Sequence, residues 1–207
     1  MPRLPPPDPA PAVSRETLER LQAYAALLAK WTVAINLVAA ADRGLIWPRH
    51  VADSLRLVPL IPPGTQRGVD LGSGAGLPGL VLAVATGIPF DLIESDRRKA
   101  AFLMEAARAT AAPVTVHPCR IEEAEVSPAP LVTARALAPL PALLALAAPL
   151  LAPGGTALFP KGARAAAELA EARRTWRMAV AQHDDPAHAG STILAITDLR
   201  HAEAAHA

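Results

Sequence analysis

A glycine-rich turn between two apolar segments most strongly constrains the fold of this chain. Residues 67–71 form a short run typical of a buried strand, and Pro78 stands where a helix would open. Between them, glycine occupies every second position, at Gly72, Gly74 and Gly76. Glycine permits positive φ and lets a ligand approach the backbone, whereas proline suits the first helical turn. Doubly wound α/β folds bind cofactors at such a turn after a parallel strand, so we expect a cofactor site here.

The spacing of the glycines admits two interpretations. A dinucleotide fingerprint counted from Gly72 requires glycine at the position of Leu77, and counting from Gly74 leaves Asp70 and Gly72 unexplained. The run Asp-Leu-Gly-Ser-Gly-Ala-Gly instead resembles the first motif of Rossmann-like methyltransferases, which use S-adenosylmethionine. In those enzymes the loop carries the aminocarboxypropyl and adenosine parts of the cofactor. The spacing therefore favours the methyltransferase interpretation.

Glu94 ends the next predicted strand, 22 residues beyond Gly72. An acidic residue about 20 residues after the glycines is suited to binding ribose hydroxyls. The alternative is a carboxylate at a solvated strand end. We expect Glu94 to bind the ribose of the cofactor because the loop already predicts a nucleoside site.

Strands and helices alternate from residue 67 onward, which predicts a mostly parallel sheet. The predicted strands lie near residues 67–71, 90–94, 114–118, 131–134, 155–159, 175–182 and 192–198. The predicted helices in this part lie near residues 78–86, 96–111, 139–151 and 163–173. The last two strands have no helix between them, which indicates an antiparallel hairpin of the kind that ends methyltransferase domains. We therefore predict an α/β, Rossmann-like class I methyltransferase fold with seven strands, and the hairpin disfavours a nicotinamide oxidoreductase.

Helices without strands are predicted before the sheet. Ser14 is a plausible N-cap for a helix to about Lys30 with an apolar stripe, the next segment is less regular, and a second helix runs from Pro48 to about Val58. We divide the chain into a disordered Pro-rich arm (1–13), an N-terminal helical cap (14–60), a methyltransferase domain (61–200) and a tail (201–207). The apolar stretch at 136–152 contains three prolines and is short for a membrane span, so we expect a soluble helix there.

Composition sets limits on the partners and the compartment. The formal net charge is +1, so the chain as a whole makes no case for nucleic acid, although basic residues on two predicted helices would suit a folded RNA. The single cysteine, Cys119, allows no internal disulfide and fits a reducing cytoplasm; we expect it to be a buried small hydrophobe. No Cys/His cluster has zinc spacing, so no metal is expected. Nothing in the sequence demands a dimer, and we expect a monomer that does not bind membranes.

Further short clusters narrow the family. In chain order they are Asn36-Leu37, Arg49-His50-Val-Ala-Asp53-Ser54, Leu77-Pro78-Gly79, Lys99, Phe102-Leu103, Arg120-Ile121-Glu122, Thr133-Ala134-Arg135-Ala136 and Phe159-Pro160-Lys161-Gly162. This set resembles the RsmG (GidB) family of bacterial methyltransferases from about Trp31 to Leu199. The resemblance implies S-adenosylmethionine as cofactor and N7 of a loop guanosine in 16S ribosomal RNA as acceptor. The chain departs from the family pattern at Val38, where threonine is usual, and in the Phe-Pro before Lys161.

The resemblance also implies roles for individual positions. Gly72 would contact the cofactor through its backbone and Leu77 by packing, while Ile121 and Glu122 would lie beside the adenine. The complete set that we expect at the cofactor is Asp70, Gly72, Gly74, Gly76, Leu77, Glu94, Ile121, Glu122 and Arg135. For Asp70 the competing role is to brace the glycine loop. For Arg135 the competing role is a structural ion pair with Asp70 or Glu122.

Arg135, Arg49 and His50 are the candidate catalytic residues. On one helix, Arg49 can meet Asp53 and His50 can meet Ser54, because each pair is four residues apart. A structural helix pair is the alternative for Arg49 and His50. Lys161 could bind phosphate or support the site. Trp47 could stack on a splayed base, but a core position suits it better.

Methylation of guanine N7 requires no general base, because the exposed lone pair carries no proton at neutral pH. Positioning is then the main catalytic contribution, and the candidate arginines would hold the guanosine and its phosphates. The substrate would be 16S rRNA within the small subunit or an assembly intermediate. Two alternatives stay open, namely a methyltransferase with another RNA, protein or small-molecule acceptor, and a non-catalytic RNA-binding protein that kept the fold.

Overall fold

A mixed seven-stranded sheet forms the centre of the molecule. The computed structural model describes residues 13–184 and 190–202, so most of the predicted arm and tail lie outside the described residues. The strands are β1 (Gly68–Leu71), β2 (Phe90–Ile93), β3 (Val114–His117), β4 (Ala129–Thr133), β5 (Leu151–Lys161), β6 (Trp176–Asp184) and β7 (Thr192–His201). Their order is β3-β2-β1-β4-β5-β7-β6. The first five strands pair in parallel, and β7 pairs antiparallel with both β5 and β6, which confirms the predicted fold class.

Six α-helices accompany the described strands. They are α1 (Arg15–Trp31), α2 (Ala52–Leu55), α3 (Gly79–Thr86), α4 (Arg97–Thr110), α5 (Leu140–Ala147) and α6 (Ala165–Ala172). One hydrophobic cluster joins side chains of α1, α3 and α4 to the sheet. A second joins α5 and α6 to the sheet and the terminal hairpin. Each apolar sheet face is therefore covered by helices, as parallel sheets require.

Helix α1 is built into the same core as the sheet. The Ser14 side chain caps its start by accepting a hydrogen bond from the Thr17 backbone N–H, as the sequence predicts. Leu21 and Leu28 are fully buried in the cluster that contains Phe102 of α4. The Trp31 ring packs edge-on against Phe102 at a centroid distance of 5.8 Å. Burying one leucine in this way contributes roughly 1.5–3 kcal/mol, so α1 stabilises the glycine-loop half of the sheet.

Two predicted helices differ from the structure. The helix expected from Pro48 to Val58 is a π-helix over Trp47–Val51 followed by α2 and then by a 3-10 turn over Val58–Leu60. Pro59 has no N–H with which to continue an α-helical ladder. The helix expected over 139–151 ends at Ala147, and a 3-10 turn with Pro149 leads into a strand longer than predicted. In both places a proline lacks the backbone N–H that an α-helix would need. The periodicity of apolar residues does not show this loss.

The remaining helix and strand boundaries agree with the prediction within a few residues. Pro78 immediately precedes α3 instead of opening it. Over residues 13–184 and 190–202, no helix combines the length and the apolar character needed to cross a bilayer. The apolar stretch at 136–152 contains α5, and the buried side chains of this helix pack against the sheet.

Candidate cofactor and substrate pockets

The glycine loop leaves β1 with three left-handed residues, Gly72 (φ 60°), Gly74 (φ 55°) and Gly76 (φ 84°). L-residues adopt this conformation at a cost of roughly 1–2 kcal/mol each. The backbone conformation of the loop therefore explains why glycine occupies these alternate positions. The Ser73 N–H donates to the Ile93 carbonyl at the end of β2, 3.0 Å away. The loop is therefore tied to the neighbouring strand at the carboxyl end of the sheet.

Asp70 lies beneath the loop and is fully buried. Its Oδ1 accepts a hydrogen bond from the Thr133 hydroxyl at 2.6 Å, which links β1 to β4. A Cβ placed on Gly79 would come within 2.5 Å of the Asp70 Cβ, so the start of α3 passes close to this carboxyl. Burial raises the pKa of Asp70 to about 6, although the Thr133 hydrogen bond acts in the opposite direction. This placement supports the bracing role for Asp70.

Glu94 holds the glycine loop from the end of β2. One carboxylate oxygen accepts the Gly74 N–H at 2.8 Å, and the other accepts the Asp96 N–H at 2.8 Å. The side chain is largely buried, yet it lines a pocket beside the loop. Each carboxylate oxygen has a second lone pair, so Glu94 can brace the loop and accept a ligand hydroxyl at the same time.

We call this space the glycine-loop pocket, and its volume is about 300 Å³. Its walls include Gly72, Gly74, Glu94, Ile121, Glu122 and Ala136. Ile121 and Glu122 belong to a 3-10 turn after β3, across from the loop. The glycine backbone lets the aminoacyl part of S-adenosylmethionine come close. The Glu94 carboxylate at the end of β2 suits the ribose, and the apolar and acidic wall of Ile121 and Glu122 suits the adenine. The residues present are therefore suited to that cofactor.

Arg135 follows β4 and is held by the segment before α2. Its Nη1 donates to the Arg49 carbonyl at 3.2 Å, and its Nη2 donates to His50 Nδ1 at 2.5 Å. Its Nη1 also lies 4.0 Å from Asp53 Oδ2. Burial lowers the pKa of the guanidinium from its usual value, and the nearby Asp53 carboxylate opposes this shift. Arg135 remains the cation of the cluster because an arginine does not lose its proton in proteins.

His50 is a neutral hydrogen-bond acceptor in this cluster. A guanidinium can only donate, so Nδ1 must accept and the proton must lie on Nε2. Burial, together with the neighbouring Arg135 guanidinium, lowers the pKa of His50 to about 4. Its Nε2 lies 3.8 Å from Asp42, and the Arg49 guanidinium lies 3.5 Å from the same carboxylate. Asp42 thus supports both members of the predicted Arg49-His50 pair.

A second pocket opens beside Arg135, and we call it the arginine pocket. Its volume is about 420 Å³, within the range usual for small-ligand sites. Its walls include Asp53, Pro78, Arg135, Ala136, Pro160 and Ile193. Ala136 lines both pockets and has φ 54°, so the chain turns sharply between Arg135 on one side and Leu137 on the other. The two pockets therefore adjoin at the carboxyl end of β4.

Lys161 supports the wall of the arginine pocket. Its Nζ lies 2.7 Å from Glu168 Oε2 and donates to the Ala138 carbonyl at 3.0 Å. Glu168 also accepts the Leu140 N–H at the start of α5. Lysine and the backbone donor hold the pKa of Glu168 below its usual value against the effect of burial. The observed contacts favour the supporting role over the phosphate-binding role for Lys161.

The structure separates these residues predicted at the cofactor into three groups. Gly72, Gly74, Glu94, Ile121 and Glu122 line the glycine-loop pocket. Gly76 and Leu77 instead pack inward, since a Cβ on Gly76 would meet Leu80 and Leu77 belongs to the core. Arg135 lines the arginine pocket. For all of these residues, contact with the cofactor stays a prediction.

Several expected side-chain pairs are replaced by others. Arg49 pairs with Asp42, whereas Asp53 pairs with Arg56 and faces Arg135. The Ser54 hydroxyl does reach His50, but it donates to the backbone carbonyl and not to the ring. The ion pair with Asp70 or Glu122 is the competing interpretation for Arg135, and its contacts are instead to Arg49, His50 and Asp53. The π-helical turn accounts for the changed partners of Arg49 and His50, because it alters the helical spacing on which those two predictions rest.

The structure defines the positions of two buried aromatic side chains, Trp47 and Tyr24. Trp47 packs in the core, as the less functional interpretation predicts. The Tyr24 hydroxyl donates to the Ala75 carbonyl in the glycine loop at 2.6 Å, and sequence reasoning missed this link. Burial raises the pKa of Tyr24 far above its usual value. The available signal was a tyrosine on the otherwise aliphatic stripe of α1.

The sequence matches a known protein family over most of its length. A family model described as rRNA small subunit methyltransferase G matches residues 17–193. The chain belongs to this family. The ribosomal RNA small subunit methyltransferase G of Rhodospirillum centenum is 56% identical over 188 residues, which cover 90% of this chain and 87% of that protein. The protein of the same name from Acidiphilium cryptum is 56% identical over 205 residues, covering 92% and 94%.

Solved structures share the fold of this family member at low sequence identity. The N-methyltransferase NodS from Bradyrhizobium japonicum, in complex with S-adenosyl-L-homocysteine, has a TM-score of 0.55 at 15% identity and covers 84% of this chain and 99% of that chain. The ribosomal protein L11 methylase from Lactobacillus delbrueckii subsp. bulgaricus has a TM-score of 0.60 at 12% identity, covering 72% and 78%. These likenesses show the Rossmann-like methyltransferase fold.

Proposed function

We propose that the protein transfers a methyl group from S-adenosylmethionine to N7 of a loop guanosine in 16S ribosomal RNA. Membership of the rRNA small subunit methyltransferase G family supports the reaction class and the RNA. The single structural observation that carries the proposal is the junction of the two pockets at Ala136. A cofactor in one pocket and a base in the other would meet there.

The glycine-loop pocket has the features needed to hold S-adenosylmethionine. Gly72 and Gly74 allow close approach to the backbone, Glu94 can accept ribose hydroxyls, and Ile121 with Glu122 can face the adenine. When bound, this cofactor supplies an electrophilic methyl group. The chain's own contribution is to hold the glycine loop in place through Glu94 and Tyr24, which would position a cofactor bound in this pocket.

Arg135 is the candidate group for holding the acceptor base. Guanine N7 needs no base to remove a proton, so orientation is the main contribution, and it can lower a barrier by roughly 7–11 kcal/mol. Neutral His50 and the Arg49 carbonyl fix the guanidinium at the pocket wall. Because the product purine is cationic, the guanidinium should contact the O6 edge and not the face of the ring. The guanosine must be unstacked to enter, which favours a loop.

Further parts of the proposal concern the biological setting. We propose that the substrate is the small ribosomal subunit or an assembly intermediate, and that a monomer acts on it in the cytoplasm. The test is transfer of labelled methyl groups from S-adenosylmethionine to small subunits that lack this modification. Digestion of the labelled RNA should release 7-methylguanosine as the labelled nucleoside. Another labelled nucleoside would identify another RNA acceptor, and cofactor binding without RNA labelling would point to a different class of acceptor.

A further inference from the structure

The arginine pocket combines apolar walls with one polar corner. Leu57, Pro78, Pro160 and Ile193 supply apolar surface, and Arg135 and Asp53 stand together at the corner. A flat purine needs this combination, because its faces are apolar and its edges carry the hydrogen-bonding groups. The corner therefore decides which purine edge the pocket can accept.

Arg135 and Asp53 present a donor and an acceptor side by side. Arg135 Nη1 lies 4.0 Å from Asp53 Oδ2, which is longer than a hydrogen bond. At this distance the two groups do not hydrogen-bond to each other. Two N–H groups of the guanidinium donate to Arg49 and His50, and a guanidinium has five. Asp53 Oδ1 accepts from Arg56, so Oδ2 is the oxygen turned toward Arg135.

We propose that Asp53 determines specificity for guanine by accepting a hydrogen bond from its N1–H while Arg135 donates to O6. This inference rests on the proposed function and names the purine edge that is recognised. Guanine carries an acceptor (O6) beside a donor (N1–H), which matches the donor and acceptor at this corner. Adenine carries a donor (its 6-amino group) beside an acceptor (N1) and would meet like against like.

The same orientation directs N7 toward the cofactor. On guanine, N7 lies next to O6 on the side away from N1. With N1 at Asp53 and O6 at Arg135, N7 therefore lies beyond Arg135. Ala136 follows Arg135 and lines both pockets, so this side of the base faces the junction with the glycine-loop pocket.

Charge adds a rate effect to the specificity effect. Methylation leaves a positive charge on the purine, which makes N1–H a stronger donor. A hydrogen bond to the Asp53 carboxylate therefore strengthens as the reaction proceeds, and such an interaction raises kcat. Asp53 side-chain exposure is 17%, so the carboxylate is only weakly screened by solvent.

Asp53→Asn is the informative substitution. Arg56 can only donate, so the asparagine carbonyl oxygen should take its place at Arg56 and turn the amide NH₂ toward N1–H. Two donors then oppose each other, and we expect kcat/KM for the guanosine to fall about 100-fold or more. The affinity for S-adenosylmethionine should not change, because Asp53 does not line the glycine-loop pocket.

Asp42→Asn is the matched control. It removes a carboxylate from the same charged cluster, since Asp42 also acts on Arg135 and His50, but Asp42 does not line the arginine pocket. We expect a much smaller loss of kcat/KM. An equal loss in both variants would show that only the charge balance around Arg135 matters and would overturn the proposal.

A measurement with the unaltered protein avoids any dependence on variant folding. Small subunits are reconstituted with guanosine, inosine or adenosine at the mapped target position. Inosine retains O6 and N1–H but lacks the 2-amino group, so we expect methylation close to that of guanosine, and adenosine should be rejected. Rejection of inosine, or wild-type kcat/KM in Asp53→Asn, would overturn the assignment of Asp53 to N1–H. Failure of the unaltered protein to methylate guanosine would instead overturn the proposed function itself.

Discussion

Arg135 Nη2 donates a hydrogen bond to His50 Nδ1 at 2.5 Å, across 85 positions of the chain. The bond requires a neutral imidazole, and burial keeps the pKa of His50 at about 4. The imidazole therefore positions the guanidinium and does not act as an acid or base at neutral pH. We therefore propose that His50 is a positioning residue, whereas the sequence alone places it among the candidate catalytic residues.

His50→Ala should free the Arg135 guanidinium while leaving the glycine-loop pocket intact. We expect kcat to fall by about 100-fold, the effect expected for a misplacement of about 1 Å. His50→Gln retains an acceptor and should recover part of the loss. Steady-state kinetics and titration with S-adenosylmethionine check both points. A general-base role is excluded by substantial recovery in the glutamine variant, whereas equal loss in both variants contradicts the positioning role.

Tyr24→Phe should loosen the glycine loop, because it removes the donor to the Ala75 carbonyl. We expect the free energy of unfolding to fall by about 1 kcal/mol and the affinity for S-adenosylmethionine to fall with it. Thr110→Val is the control, since this buried hydroxyl bonds within α4 to Ala106 and makes no loop contact. Urea unfolding and calorimetric titration measure the two effects. If the control weakens cofactor binding as much as Tyr24→Phe does, the link between Tyr24 and the loop has no specific role.

Gly72→Ala should destabilise the protein more than Gly74→Ala. Both positions have positive φ, but a Cβ on Gly72 would lie 2.6 Å from the Leu137 side chain, whereas a Cβ on Gly74 meets nothing closer than 3.8 Å. We expect about 1–2 kcal/mol of backbone strain in each variant and a small further loss only at Gly72, because the end of the Leu137 side chain must move. Denaturant unfolding of the two variants gives the comparison, and equal losses would contradict it. Gly72 therefore has a packing neighbour, Leu137, in addition to its predicted backbone contact with the cofactor.

Glu94→Gln should weaken both the loop and the ribose contact. The amide offers one acceptor in place of two, so either Gly74 or Asp96 loses its partner. The proposed ribose role is tested with S-adenosylhomocysteine and its 2′-deoxy analogue. Removing the hydroxyl should reduce affinity for the unaltered protein and have a much smaller effect on the variant. Equal effects in both proteins would leave Glu94 with the bracing role alone.

Asp70→Asn should change how stability depends on pH. The folded-state pKa is about 6 and the unfolded value is 3.8, so the folded state binds the proton more tightly. This stabilisation is complete below about pH 3.8 and is lost as pH rises through 6, up to about 3 kcal/mol. Asparagine imitates the protonated group, so the stability of the unaltered protein relative to Asp70→Asn should decrease between pH 4 and pH 7. A constant or increasing difference would contradict the raised pKa.

The sequence predicts the sheet and the glycine-loop pocket well because both depend on local patterns. Alternating glycines, a strand that ends in Glu94 and a terminal hairpin can each be recognised within a few residues. The arginine cluster depends on long-range packing, and the π-helical turn over Trp47–Val51 changes which side chains meet. Asp42 and Tyr24 have no motif of their own, so only the folded chain shows that they support Arg135 and the loop.

The central claim is that N7 of one guanosine is the acceptor, and chemical mapping of the methylated RNA tests it most directly. Borohydride reduction followed by aniline cuts an RNA chain at 7-methylguanosine. Small subunits treated with the protein and S-adenosylmethionine should show one new cut, located in a loop of the 16S rRNA. Methyl incorporation without a new cut, or a cut within a duplex, would contradict the account.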